Sequence, residues 1–366
     1  MLSLAGVLAW ERVIESPGYV VAATDVFIEP QFGWIYVAGT TSGPIGGSGT
    51  VVGGNDPFVL AYDTTGYRRF AKTIADAGEE QDVQVAYARD VLGDPRLHVA
   101  WSDRVASILP NGVISYHWDI VLQSYTSFSI LGVPQDPALQ YRYGNIVSNE
   151  LLRDLAAPVG GEPGAIICGR TDGSLGGPSA GGWDGLIVRQ KDSGTSFSRV
   201  GTAGNDSVES CVVNNFGGRT LRVFAGGVMS ASSDWSTGGG FLRSVNSDSG
   251  AVSTSFGRDF PGSSGVADFV RAVVAVDGAN SEVYAASEYK NLFGLSGIDS
   301  VVRGFAIGRD GGLHLLFART YSTTGLGGLP TKFDDTVLGF GVGGDASGAR
   351  ILHLSGPNVV RNLQVR

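Results

Sequence analysis

The chain has 366 residues, 43% of them hydrophobic and 17% charged, with 56 glycines and a formal net charge of −9. So large an apolar fraction excludes disorder, and abundant glycine with few charges favours strands and tight turns over long helices. The negative charge argues against nucleic acid or an anionic membrane as main partner, and no apolar run approaches the ~18 residues of a membrane span.

The opening MLSLAGVLAW has no basic leader and is short for a secretion signal, so it reads as part of the fold. From Trp10 onward a short signature recurs, an aromatic residue followed two positions later by a basic one. It occurs as Trp10-Glu11-Arg12, Phe70-Ala71-Lys72, Phe197-Ser198-Arg199, Phe256-Gly257-Arg258 and Phe317-Ala318-Arg319, with Trp118-Asp119-Ile120 as a degenerate copy. The gaps are 60, 48, 79, 59 and 61 residues, an imperfect repeat of about sixty with units starting near 10, 70, 118, 197, 256 and 317.

Within each unit the predicted pieces follow one order. A first strand is often entered through an acid, as at Asp82, Asp206, Asp268 and Asp335. Second strands are expected at 35–41, 98–103, 166–171, 223–228, 283–289 and 351–356. A Gly/Ser-rich loop follows, then third strands at 56–63, 104–109, 184–190, 241–246, 299–308 and 359–365. Turns such as Asp63-Thr64-Thr65-Gly66, Pro110-Asn111-Gly112 and Asp192-Ser193-Gly194 return the chain to the signature as a fourth strand, which is hairpin chemistry.

Four short antiparallel strands repeated six times predict an all-β, six-bladed β-propeller as a single domain over 1–366, with an insertion at 122–148. The chain opens on a fourth strand, Ala9 to Val13, and ends on a third, 359–365. Pairing the two would close the ring and hide two open edges.

The string Tyr36-Val37-Ala38-Gly39-Thr40-Thr41, then Gly53-Gly54-Asn55-Asp56-Pro57-Phe58-Val59, then Tyr62-Asp63-Thr64-Thr65-Gly66 resembles the bacterial β-propeller (SBBP) repeat family. Gly169-Arg170-Thr171 with Gly182-Trp183-Asp184-Gly185-Leu186-Ile187-Val188 repeats the likeness, and the second and sixth units depart from it. The resemblance implies a propeller on a secreted or surface protein, with no assigned reaction.

The long connections fall on one face of such a fold, where binding is expected. Tyr125, Phe128, Tyr141 and Tyr143 lie in the 122–148 insertion, and Trp183, Trp235 and Phe293 lie in equivalent loops of three units. These are the candidate partner-binding residues; packing as a small local core, or pinning of Gly-rich loops, is the plainer role. The acids Asp82, Asp206, Asp268 and Asp335 are expected to cap backbone N–H groups, with a shared calcium ion as the alternative. The histidines (His98, His117, His314, His353) lack metal or triad spacing, and no set of acid, base and arginines for glycoside chemistry is found. Cys168 and Cys211 sit in apolar strand-like runs and are expected as buried free thiols. The expected function is a non-catalytic scaffold for other proteins or a structural subunit of a large complex; the alternative is a carbohydrate-binding module or a polysaccharide-acting enzyme on the same face, with a glycan as partner.

Overall fold

The computed structural model describes residues 10–364, apart from 15, 30–31, 46–50, 91–93, 127–136, 138, 162–163, 217–219, 247–251, 261–266, 277–281, 291–297, 308–312, 322–336, 346–347 and 356–358. Its contacts divide the chain into two compact units, Met1–Ala165 and Ile166–Arg366.

The strands are β1 (Val21–Ile28), β2 (Ile35–Thr41), β3 (Asp56–Tyr62), β4 (Arg68–Thr73), β5 (Glu80–Asp90), β6 (Pro95–Ile108), β7 (Ile114–Tyr125), β8 (Leu139–Tyr143), β9 (Glu150–Ala156) and β10 (Val159–Gly161). They continue as β11 (Gly164–Thr171), β12 (Asp184–Lys191), β13 (Gly194–Val200), β14 (Asp206–Phe216), β15 (Thr220–Met229), β16 (Gly239–Asn246) and β17 (Val252–Phe260). The last are β18 (Asp268–Val276), β19 (Glu282–Lys290), β20 (Ile298–Ile307), β21 (Leu313–Tyr321), β22 (Val337–Asp345), β23 (Gly348–Ser355) and β24 (Val359–Gln364).

The fold is all-β and propeller-like. The sheet orders are β1-β2-β3-β4, β10-β5-β6-β7-β8, β13-β12-β11-β9, β14-β15-β16-β17, β18-β19-β20-β21 and β22-β23-β24. Strands neighbouring in sequence run antiparallel, and the short β10 joins β5 in parallel. One 3₁₀ turn, Trp235–Thr237, is the sole helical element among the described residues. No helix there is long and apolar enough to cross a membrane.

The turns are built as their residues require. Asp63 Oδ1 accepts from the Thr65 and Tyr67 N–H groups at 2.9 and 3.0 Å. Gly66 takes φ +79°, open to glycine at little cost, and an added Cβ would stand 2.7 Å from the Trp10 ring.

First strands share a device that sequence patterning did not reveal. β1, β5, β14, β18 and β22 each carry a register shift within three residues of their start. The side chain just past the shift reaches the next sheet's first strand: Asp25 Oδ2 accepts from Val85 N at 2.8 Å, and Ser210 Oγ accepts from Val273 N at 3.0 Å. Residues inside the shift bridge in the same direction. Arg153 contacts Asp82 at 3.4 Å, and Arg271 contacts Glu209 at 3.0 Å while also holding Glu288 of its own sheet at 2.8 Å.

Apolar faces of successive sheets fill the space between them. Tyr36, Val59, Val83, Val99, Trp101 and Val121 form one buried cluster in the first unit. Phe224, Leu242, Val270, Val283 and Phe305 form another in the second.

Several expectations need correction. Residues 98–103 and 104–109, read as two strands, are one continuous strand, β6. The insertion 122–148 is not a bare crossover: β7 runs to Tyr125, and 139–143 form β8, the fourth strand of that sheet. Trp118-Asp119-Ile120 therefore lies on a third strand, which accounts for the short 48-residue gap. Trp10–Ile14 is not a strand. Trp10 Nε1 donates to Thr64 O at 3.0 Å and Arg12 Nε to Gly66 O at 2.8 Å, holding the segment on the β3–β4 turn. On the described residues β24 pairs with β23 alone. Cys168 on β11 and Cys211 on β14 are joined in a disulfide, with Cα atoms 6.3 Å apart, and are not free thiols.

Candidate functional site

Four strands that open a sheet, β5, β9, β14 and β18, begin at a buried acid: Glu80, Glu150, Asp206 and Asp268. The N–H of three of these clasps the residue just before a third strand. Glu80 N donates to Asn55 O at 3.3 Å, Asp206 N to Trp183 O at 2.7 Å and Asp268 N to Gly238 O at 3.1 Å. The structural counterpart of Asp206 in the second sheet is thus Glu80, not the Asp82 expected from the sequence. Asp82, at φ +55°, sits inside the register shift and pairs with Arg153. Asp335 lies outside the described residues.

Among their side chains, that of Asp206 caps a loop and that of Asp268 holds an arginine of β20. Asp206 accepts from Thr202 N at 2.6 Å and Ser230 N at 3.1 Å, and Asp268 Oδ2 accepts from Arg303 at 2.6 Å. Third-strand acids do the same: Asp56 accepts from Val52 N and Asp76 N, each at 3.0 Å, and Asp184 from Ala180 N at 3.1 Å and from Arg199. Burial raises the Asp56, Asp206 and Asp268 carboxyls above the usual range, while their hydrogen bonds pull the other way.

The predicted loop aromatics divide into two groups. Tyr125 and Tyr143 are buried; Tyr125 Oη donates to Gln123 at 3.1 Å, and Tyr143 stacks on the half-buried Tyr141 at 6.4 Å between centroids. They belong to the β7–β8 packing and are not a displayed surface. Phe128 and Phe293 lie outside the described residues. Trp183 and Trp235 are brought together in the second unit. The Arg170 guanidinium sits over both rings, 4.6 Å from the Trp183 centroid and 5.4 Å from that of Trp235. Both indoles are half-buried.

Asn205 ties their two loops together. Its Oδ1 accepts from Trp183 N at 3.1 Å and its Nδ2 donates to Ser233 O at 2.6 Å. The pattern recurs in the first unit, where Asn149 Oδ1 accepts from Trp118 N at 3.2 Å. Trp118-Asp119 is therefore the counterpart of Trp183-Asp184. The signal was present in the sequence: Asn55-Asp56, Trp118-Asp119 and Trp183-Asp184 are spaced by 63 and 65 residues.

A second constellation, in the first unit, was missed altogether. Glu80 on β5 stands opposite Asp103 on β6, and Asp103 opposite Asp119 on β7. Asp76, in the preceding connection, joins them. Arg142 Nη1 lies 2.5 Å from Asp103 Oδ2 and 3.4 Å from Asp119 Oδ2, and His117 Nε2 lies 3.5 Å from Asp119 Oδ1. Burial first, then Asp103, Asp76 and Asp56, push the Glu80 carboxyl up to about 9. Gly78 covers the group: a Cβ there would meet Asp103 Oδ1 at 1.9 Å and Glu80 Oε1 at 2.8 Å.

No family model matches the chain, and no curated protein matches it. Solved structures to which it is similar include an ACO/RPE65 chimera, at 12% identity and TM-score 0.44, over 87% of this chain and 65% of that one. Another is a mutant apocarotenoid oxygenase from Synechocystis, at 12% identity and TM-score 0.39, over 80% of this chain and 62% of that one. A third is a GH43 β-1,3-galactosidase, at 10% identity and TM-score 0.38, over 99% of this chain and 76% of that one. The chain spans less than two thirds of the length of the first two.

Proposed function

We propose that the protein is a non-catalytic binding scaffold, a six-bladed propeller of the bacterial repeat type that engages another protein through its long loops. The observation that carries this reading is the Trp183–Arg170–Trp235 stack on loops clasped by Asn205. Tryptophan and arginine are the residue types most enriched at interface hot spots, and a partly exposed, pre-ordered group of them loses little entropy on binding. Catalysis is disfavoured where the pKa is most displaced, because Glu80 is 2% exposed and roofed by the Gly78 backbone. The Cys168–Cys211 bond supports an oxidising compartment such as the cell surface or exterior.

The test is a native cross-linking pull-down with wild type and the Trp183→Ala/Trp235→Ala double variant. The variant should keep the wild-type Tm to within a few degrees and lose at least about tenfold in partner affinity. Unchanged capture would refute the assignment of this loop pair. A glycan-array signal lost in the same variant would replace the protein partner with a sugar.

A further inference from the structure

We propose that Asp76, Glu80 and Asp103 form a binding site for a hard divalent cation of the calcium class. One carboxylate oxygen from each lies within 4.8 Å of the others, a spacing that one cation with oxygen ligands can bridge. This site is independent of the loop tryptophans and of the reading built on them.

An acidic cluster alone would not carry the proposal; the state of Glu80 does. Its side chain is 2% exposed, and no N–H, hydroxyl or cationic partner among the described residues reaches either of its oxygens; its side-chain neighbour is a second acid, Asp103. Asp103, also 2% exposed, spends Oδ2 on Arg142 and leaves Oδ1 without a donor apart from a proton on Glu80. Buried acceptors are nearly always satisfied, and one proton shared by Glu80 and Asp103 still leaves a buried Glu80 oxygen without a donor, so the group marks the place of a positive partner.

The strand register makes the same demand by a separate route. Like charges directly opposite one another on neighbouring strands destabilise a sheet, yet Glu80, Asp103 and Asp119 stand in one row across β5, β6 and β7. Arg142 answers Asp103 and Asp119, and its Nη2 lies 3.7 Å from Asp76, but it leaves Glu80 unanswered. Three carboxylates and no soft ligand select a hard cation over zinc or copper. Asp76 is half-buried and opens the group to solvent, while Gly78 leaves the space that any other residue would fill.

The experiment titrates chelator-stripped full-length protein with calcium chloride in about 150 mM NaCl, reading Tm, and with terbium chloride, reading sensitised emission. Trp101, fully buried on β6 two residues before Asp103 and on the same face, is the donor for terbium. The expected result is a saturable rise in Tm and terbium emission that calcium displaces. Glu80→Gln, an isostere of the protonated acid, should fold and bind at least about tenfold more weakly, as should Asp76→Asn at the open side. The proposal fails if wild type shows neither signal up to about 10 mM cation, or if both variants respond as wild type does.

Discussion

Asp25 and Ser210 occupy the same place in two sheets, one step past the register shift of a first strand, and each receives a backbone N–H from the next sheet. A neutral hydroxyl suffices at one and a carboxyl is used at the other. Burial, aided by Asp154, pushes the Asp25 carboxyl from 3.8 up to about 7. A folded-state pKa raised above the unfolded value favours folding fully at low pH, and that share is lost as pH rises through the folded pKa. Wild-type stability should therefore fall, on this account, between about pH 4 and pH 7, and Asp25→Ser should flatten that part of the curve. Urea unfolding at pH 5 and pH 8 measures it, and equal slopes for the two proteins would sink the assignment. Asn205 gives a second residue-level prediction. Asn205→Ala removes both the acceptor for Trp183 N and the donor to Ser233 O, leaving a partly buried N–H without its partner. The cost should be about 1–3 kcal/mol in denaturant unfolding, and a loss below a few tenths would mean the loops hold without the clasp.

At the level of elements, the disulfide ties β11 to β14 across a sequence separation of 43 residues. Closing a loop of that size typically stabilises by about 2–4 kcal/mol. The Cys168→Ala/Cys211→Ala variant should lose that much in urea unfolding, and reductant should bring wild type to the same midpoint. An unchanged midpoint under reduction would mean that the sheet packing alone fixes the two strands. The strands themselves were legible, because Asp63-x-x-Gly66 and its relatives announce hairpins and apolar runs lie between them. The disulfide was not, since a buried thiol and a buried half-cystine look alike in an apolar run. Nor was the course of β6. The break expected between Asp103 and Arg104 does not occur, because Asp103 and Trp101 both face inward and the ladder to β7 continues past them. That misplacement moved the fourth strand of the second sheet into a supposed insertion. It also hid the carboxylate row, which exists only once β5, β6 and β7 are in register.

Across the whole molecule, 35 acidic residues face 26 basic ones, and such an excess opposes the compact state by self-repulsion. Raising NaCl from about 10 to about 150 mM should therefore raise Tm by a few degrees, since it brings the screening length down to about 8–10 Å. A flat response would mean that local ion pairs such as Arg271 with Glu209 and Glu288 already neutralise the excess. General screening and a specific site make different demands on the same titration. Screening follows ionic strength whatever the cation, whereas the Asp76–Glu80–Asp103 oxygens recognise charge density and coordination. About 1 mM calcium chloride adds too little ionic strength to shorten the screening length appreciably. A Tm rise there, unmatched by NaCl at equal ionic strength and absent in Glu80→Gln, would assign the effect to the carboxylate row. An equal rise with NaCl would assign it to the charge of the molecule as a whole.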